Sequence, residues 1–154
     1  MAGKIEARLA ELGIELPDAP APKANYMPYV VSGNLVFMSG QVTIWNGEMK
    51  YIGKIGTDFT IEEGYDAARM VAINLIAQAK KACGGDLDRI RQVVKLTSVV
   101  NAIDDFKDHS KVINGASDLM AEVFGDAGRC VRINYGGTTP FGFAVEIDAI
   151  FEIE

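Results

Sequence analysis

The stretch from Phe143 to Ile153 constrains the fold more tightly than any other part of the chain. Phe143, Val145, Ile147, Ala149, Phe151 and Ile153 fall on one side of an extended backbone, and Ala144, Glu146, Asp148, Ile150 and Glu152 on the other. Such a strand needs partners for its backbone groups and an apolar layer over its first face. Residues 93–102, VVKLTSVVNA, are short and β-branched and supply a second, central strand. Residues 129–135, RCVRINY, give a third. From Tyr29, the segment YVVSGNLVFMSGQVTIWNGEMKYIG reads as an antiparallel meander, punctuated by Gly33-Asn34, Gly40 and the hairpin dipeptide Asn46-Gly47.

Two helices are expected to cover this sheet. Thr60 to Glu63 has capping-box spacing, and Ile61, Tyr65, Ala68, Ala72, Leu75, Ile76 and Ala79 follow on one face up to Cys83-Gly84-Gly85. A second helical pattern runs from Asp105 to Phe124, with Val112, Leu119, Val123 and Phe124 as its apolar positions. Residues 3–12 form a shorter amphipathic helix that must dock to persist, and Pro17, Pro20 and Pro22 then enforce an extended arm. The expected organisation is therefore an N-terminal helix and arm over residues 1–24 and one compact domain over 25–154. Helices and strands mixed in this order predict an α+β sandwich with both helices on one sheet face. The other face is left for self-association.

A chain of 154 residues, 49% hydrophobic, has room for one such core. Its formal charge of −6 makes nucleic acid a poor default partner. No apolar run is long enough to span a bilayer, and the N-terminus lacks a secretory pattern. Two cysteines, Cys83 and Cys130, without a CxxC fit a reducing cytoplasm. The single histidine, His109, leaves no HExxH motif and no histidine cage for a metal, and an exposed or capping role suits it better. Cys130 reads as a buried, inert thiol. Gly136-Gly137-Thr138-Thr139 lacks the lysine of a phosphate loop.

Arg132 is the residue most in need of explanation, because a guanidinium within a strand requires a carboxylate or a ligand anion. A hairpin between residues 130–135 and 143–150 would bring it to Glu146 or Asp148, as a structural ion pair or as a site. PYVVSGNLVFMSGQV, the helix that carries Asn74, the VVKLTSVVN strand and the closing arginine, proline and VEIDAI pattern together resemble the RidA/YjgF/YER057c/UK114 family. ELGIELP, EEGYDAARMVAINLIAQAK and VINGASDLMAEVFGDAGR are similar to its longer-chain, bacterial-type branch. The resemblance covers residues 25–154 and, through the branch features, the N-terminal helix.

That resemblance implies a chorismate-mutase-like α+β sandwich with a mixed sheet, assembled as a homotrimer with sites in the clefts between subunits. It implies hydrolysis of reactive 2-enamine and 2-imine acids, such as 2-aminoacrylate, to 2-oxo acids and ammonia, with no metal or organic cofactor. GRCVR places the family's carboxylate-binding arginine at Arg132, with Arg129 the choice only if the alignment gap falls elsewhere. Glu146 matches an acid that orients water, Tyr29 an aromatic lining the cleft, Ser39 the Ser-Gly-Gln turn, and Asn114 an asparagine near the cleft. Asn134 joins the substrate-binding set at a position where many relatives carry cysteine or a small residue. INYGGTTPF departs from the family's usual run into Leu-Pro, which bears on substrate choice. The rival reading is a non-catalytic module that senses a small carboxylate in the same cleft.

Overall fold

In a computed structural model, which describes residues 3–19 and 21–154, the alternating tail becomes β7 (Val145–Ile153). It is the central strand of five, in the order β1-β2-β7-β5-β6, where β1 is Tyr29–Ser32, β2 Leu35–Met38, β5 Ile90–Val100 and β6 Val131–Gly136. Its odd-numbered residues are buried and its even-numbered ones half-buried, so the alternation sorts the two faces as expected. β7 runs antiparallel to both β2 and β5. β6, by contrast, lies parallel to β5, because helix α3 (His109–Phe124) forms the crossover between them.

The hairpin expected between residues 130–135 and 143–150 therefore does not form, since β5 stands between β6 and β7. The intervening GGTTPFG segment spans two strand spacings, about 10 Å, instead of turning back on itself. It does so through an irregular turn in which Phe141 (φ 57°) and Gly142 (φ 74°) take left-handed backbone conformations.

The long helix α2 (Ile61–Ala82) begins with the expected capping box: Thr60 Oγ1 accepts from the Glu63 amide at 3.1 Å, and the Glu63 carboxylate accepts from the Thr60 amide at 2.8 Å. Ala68, Ala72, Leu75, Ile76 and Ala79 are all buried against the sheet and α3. Where α2 and α3 cross, a Cβ on Gly115 would lie 2.0 Å from the Tyr65 carbonyl oxygen, so glycine sets how closely the helices approach. α3 starts four residues later than the apolar pattern suggests. Residues 104–108 are needed to turn the chain off the end of β5, with the Phe106 amide bonded to the Ile103 carbonyl at 3.0 Å.

Nor does the N-terminal meander continue as one sheet. β3 (Ile44–Trp45) and β4 (Glu48–Met49) form a separate hairpin around Asn46-Gly47, both at positive φ. The break falls where buried Asn74 of α2 donates to the carbonyls of Val42 and Ile44, at 3.0 and 2.7 Å, and draws the chain away from the sheet edge. No helix among the described residues is long and apolar enough to cross a membrane.

A third helix, α1 (Lys4–Glu11), docks on this body through Leu9, which is 4% exposed. Its first turn is capped from far along the chain: the Lys4 and Ile5 amides each donate to the Asp88 carboxylate at 2.8 Å. Pro20 of the following arm lies outside the described residues. The two amides hold the Asp88 pKa below the usual aspartate value. A lowered folded-state pKa stabilises the docked helix above the unfolded pKa and is lost as pH falls through the folded one. Asp88→Ala should therefore speed hydrogen exchange across residues 4–11 at neutral pH while leaving α2 protected. Acidification below the aspartate range should do the same to the parent protein, and unchanged exchange in both cases would contradict this role.

Candidate functional site

On β6, Arg132 and Asn134 sit opposite Leu96 and Ser98 of β5 and so point to the helix-covered side of the sheet. There they meet a polar stripe on α3, Ser110, Asn114 and Ser117, spaced i, i+4, i+7. Arg132 Nη1 donates to Ser117 Oγ at 2.8 Å. Asn134 is held at both ends, with its Oδ1 accepting from Ser98 Oγ at 3.0 Å and its Nδ2 donating to Ser110 Oγ at 3.2 Å. Half-buried Asn114 lies between these two rungs and makes no side-chain hydrogen bond among the described residues. This edge thus offers two groups with unspent capacity, the Arg132 guanidinium and the Asn114 amide. Arg129 is exposed ahead of β6, where its carbonyl accepts from Gln92 Nε2 at 3.0 Å. The Cys130 thiol is pushed up in pKa by burial, partly offset by a backbone hydrogen bond and by Arg132.

Glu146 and Asp148 occupy the opposite, helix-free face, paired with Val99 and Thr97 of β5. Arg132 therefore cannot meet either acid within one chain: they differ in strand by two positions and in face. Glu146 is raised in pKa by burial and then by the charge of Asp148; burial also raises Asp148, opposed by hydrogen bonds from Thr97 and by Lys95. Beside Glu146 runs the Ser39-Gly40-Gln41 segment. Gln41 and Ile147 exchange backbone hydrogen bonds at 2.9 and 3.0 Å, and a Cβ on Gly40 would fall 2.5 Å from Glu146 Oε1. Only glycine leaves the carboxylate where it is. Ser39 Oγ donates to the Met27 carbonyl at 2.6 Å, tying down the chain just before Tyr29, which is half-buried against the core.

The open face around these acids is apolar. Val30, Phe37, Val131, Ile133 and Tyr135 are each between 40% and 66% exposed. Sequence reasoning missed Ser98, Ser110 and Ser117: the signal for Ser110 and Ser117 was helical spacing on α3 opposite the alternate residues of β6, and Ser98 of β5 shows itself only through its register beside Asn134. His109 lines a cleft of 380 Å³ at the carboxyl ends of β5 and β6, with its ring edge-on to Phe106 at 5.1 Å. The one grouping of metal-ligand type found among the described residues, Glu6, Asp86 and Asp88, lies by α1, where Asp88 is committed to the helix amides.

A raised folded-state pKa on an acid means that its ionised form is penalised by the fold. That penalty is present in full above the folded pKa and is relieved as pH falls through it. Glu146→Gln should accordingly raise Tm at neutral pH, with the gain fading toward the ordinary glutamate range. A variant less stable than the parent at pH 7 would contradict the assignment.

The sequence profile of the YjgF/chorismate mutase-like endoribonuclease family matches residues 6–142. The chain belongs to that family. Among its RidA/YjgF relatives, Protein TCP17 of Trypanosoma cruzi is 44% identical over 153 residues, 98% of this chain and 95% of that one. The crystal structure of Atu1372 from Agrobacterium tumefaciens, a protein of unknown function, superposes with a TM-score of 0.91 at 44% identity, covering 97% of this chain and 92% of that one. A Shewanella oneidensis protein named for an endoribonuclease gives 0.94 at 38%, covering 98% and 100%. The YjgF fold expected from the motifs is the fold found, with a mixed sheet, the two covering helices and the short N-terminal helix read from residues 3–12.

Proposed function

We propose that this RidA/YjgF protein hydrolyses small 2-imino acids, formed by tautomerisation of 2-enamine acids such as 2-aminoacrylate, to 2-oxo acids and ammonia. The observation that carries the reading is the Arg132 guanidinium: fixed, charged and without an acidic partner among the described residues, next to an unspent amide on Asn114. A planar fork of this kind suits a carboxylate, to which it donates two parallel charge-assisted hydrogen bonds. Asn114 then offers a donor and an acceptor to the imine nitrogen or its hydrolysis product.

The chemistry requires one water. It adds to the imine carbon, and the resulting carbinolamine collapses to the carbonyl as the C–N bond breaks and ammonia leaves with the proton. Glu146 is the group suited to orient and deprotonate that water, since its raised pKa makes it a better base than an ordinary glutamate. Because Arg132 and Glu146 lie on opposite faces of the sheet, a site containing both is built from two copies of the chain. The apolar open face is what a homotrimer would cover, and the ligand side of each cleft would come from the β6 edge of the neighbour. Holding the substrate carboxylate beside a positioned water converts orientation into rate. No step calls for a metal or organic cofactor. The net charge of −6, together with Glu146, Asp148 and Glu152 on the open face, opposes a nucleic-acid substrate.

Subunit mixing tests the shared site. Arg132→Ala and Glu146→Gln proteins, each inactive alone, should recover up to about a quarter of parental activity after unfolding and refolding as an equimolar mixture, because random assembly regenerates that share of intact clefts. No recovery in verified mixed oligomers would place both residues' roles within one copy or outside the site.

A further inference from the structure

The guanidinium of Arg132 carries a positive charge, yet its one side-chain partner among the described residues is neutral. Nη1 donates to Ser117 Oγ at 2.8 Å, and Ser117 Oγ in turn donates to the Ile113 carbonyl, one helical turn back, at 3.4 Å. The hydroxyl proton is thus spent on the helix, which turns a lone pair of the same oxygen to the arginine. We infer that Ser117 is the positioning residue for Arg132, holding one edge of the fork without neutralising it and leaving the remaining N–H groups free for an incoming 2-oxo or 2-imino carboxylate. The inference rests on the proposed function for the identity of the anion, but the tether itself is a property of the ligand-free chain.

The choice of serine has chemical consequences that differ from those of its neighbours in size and charge. An aspartate would grip the guanidinium more tightly, but it would occupy the fork and cancel the charge that a substrate needs. Alanine would leave the charge intact but let a long side chain sample many rotamers, so each binding event would have to order it. Threonine keeps the hydroxyl, and on a helix it makes the same bond to the carbonyl one turn back. Asn134 closes the next rung with Ser98 and Ser110, which fixes β6 against α3 and makes Ser117 a stationary anchor.

Calorimetric binding of pyruvate to the parent protein and to Ser117→Ala, Ser117→Thr and Ser117→Asp tests this, alongside steady-state imine hydrolysis. Ser117→Ala should weaken pyruvate by about tenfold and raise KM to match, with kcat within about twofold, as expected for loss of one charge-assisted hydrogen bond that preorganises binding. Ser117→Thr should restore both. Ser117→Asp should weaken binding by more than about a hundredfold while Tm stays level or rises, because the fork is now filled by an internal carboxylate. A merely structural serine would give the reverse ranking in Tm and no special defect for aspartate. Parental affinity in Ser117→Ala, or aspartate binding pyruvate as well as alanine does, would overturn the inference. If the parent protein neither binds pyruvate nor turns over imines, the functional reading fails, and the tether is judged on ligand-free protein: rotation about the Arg132 Nε–Cζ bond, followed by nitrogen NMR and assigned with Arg132→Lys, should be slow in the parent and fast in Ser117→Ala. Fast rotation in both would overturn the tether as well.

Discussion

Replacing Arg132 with alanine should lower kcat/KM for imine hydrolysis by about 10²–10³-fold, since two charge-assisted hydrogen bonds to the substrate carboxylate are lost together. Folding should survive. Arg132 lies on an edge strand, is half-buried, and its side chain makes one hydrogen bond among the described residues. Circular dichroism and light scattering should therefore match the parent protein. Arg132→Lys separates charge from geometry: the ammonium restores the positive charge but neither the planar fork nor the reach to Ser117, so it should recover little. Full activity in Arg132→Lys would show that bulk charge suffices. Equal loss in Arg129→Ala with none in Arg132→Ala would transfer the role to the exposed arginine.

The second large effect concerns assembly. Phe37 is 43% exposed on the open face and pairs with Ile150 of the central strand. Phe37→Asp would place an unpaired charge on the face that the proposed trimer buries, once per subunit, a cost that a protein interface does not recover. The expected product is a folded monomer at micromolar concentration. Its activity should fall by about a hundredfold or more, although neither Arg132 nor Glu146 has been touched, because orientation across the cleft is lost. A Phe37→Asp protein that is monomeric and fully active would show that one copy is a complete site. A trimer with full activity would show that this face lies outside the interface.

What could be read from the sequence was what depends on local chemistry. The capping box at Thr60 and Glu63, the Asn46-Gly47 turn and the two faces of β7 all formed as their residues dictate. Alternation assigns a side chain to a face but says nothing of which strand lies next to it, and this is why the expected Arg132–Glu146 hairpin failed. The neighbour of β6 was decided by α3, whose crossover makes a parallel pair with β5 and leaves β5 standing between β6 and β7. The start of α3 was displaced for a related reason: the acidic pair Asp104-Asp105 resembles a helical first turn, but the chain must first leave β5. Arg132 was legible because a strand arginine demands a partner. Ser117 was not, because a serine on a helix surface looks solvated until β6 is laid against it.

Ammonia release from freshly generated 2-aminoacrylate is the most direct measure of what the cleft does. Purified protein should accelerate it, equally well with and without EDTA, with inhibition by small 2-oxo acids that present the same carboxylate to Arg132 and a carbonyl in place of the imine. Imines derived from several larger amino acids belong in the same assay, since the Gly136-Gly137 segment departs from the family pattern. Acceleration that disappears in Arg132→Ala is the expected result. Tight, Arg132-dependent binding of 2-oxo acids with no acceleration of any imine would contradict the enzyme and leave a carboxylate sensor in its place.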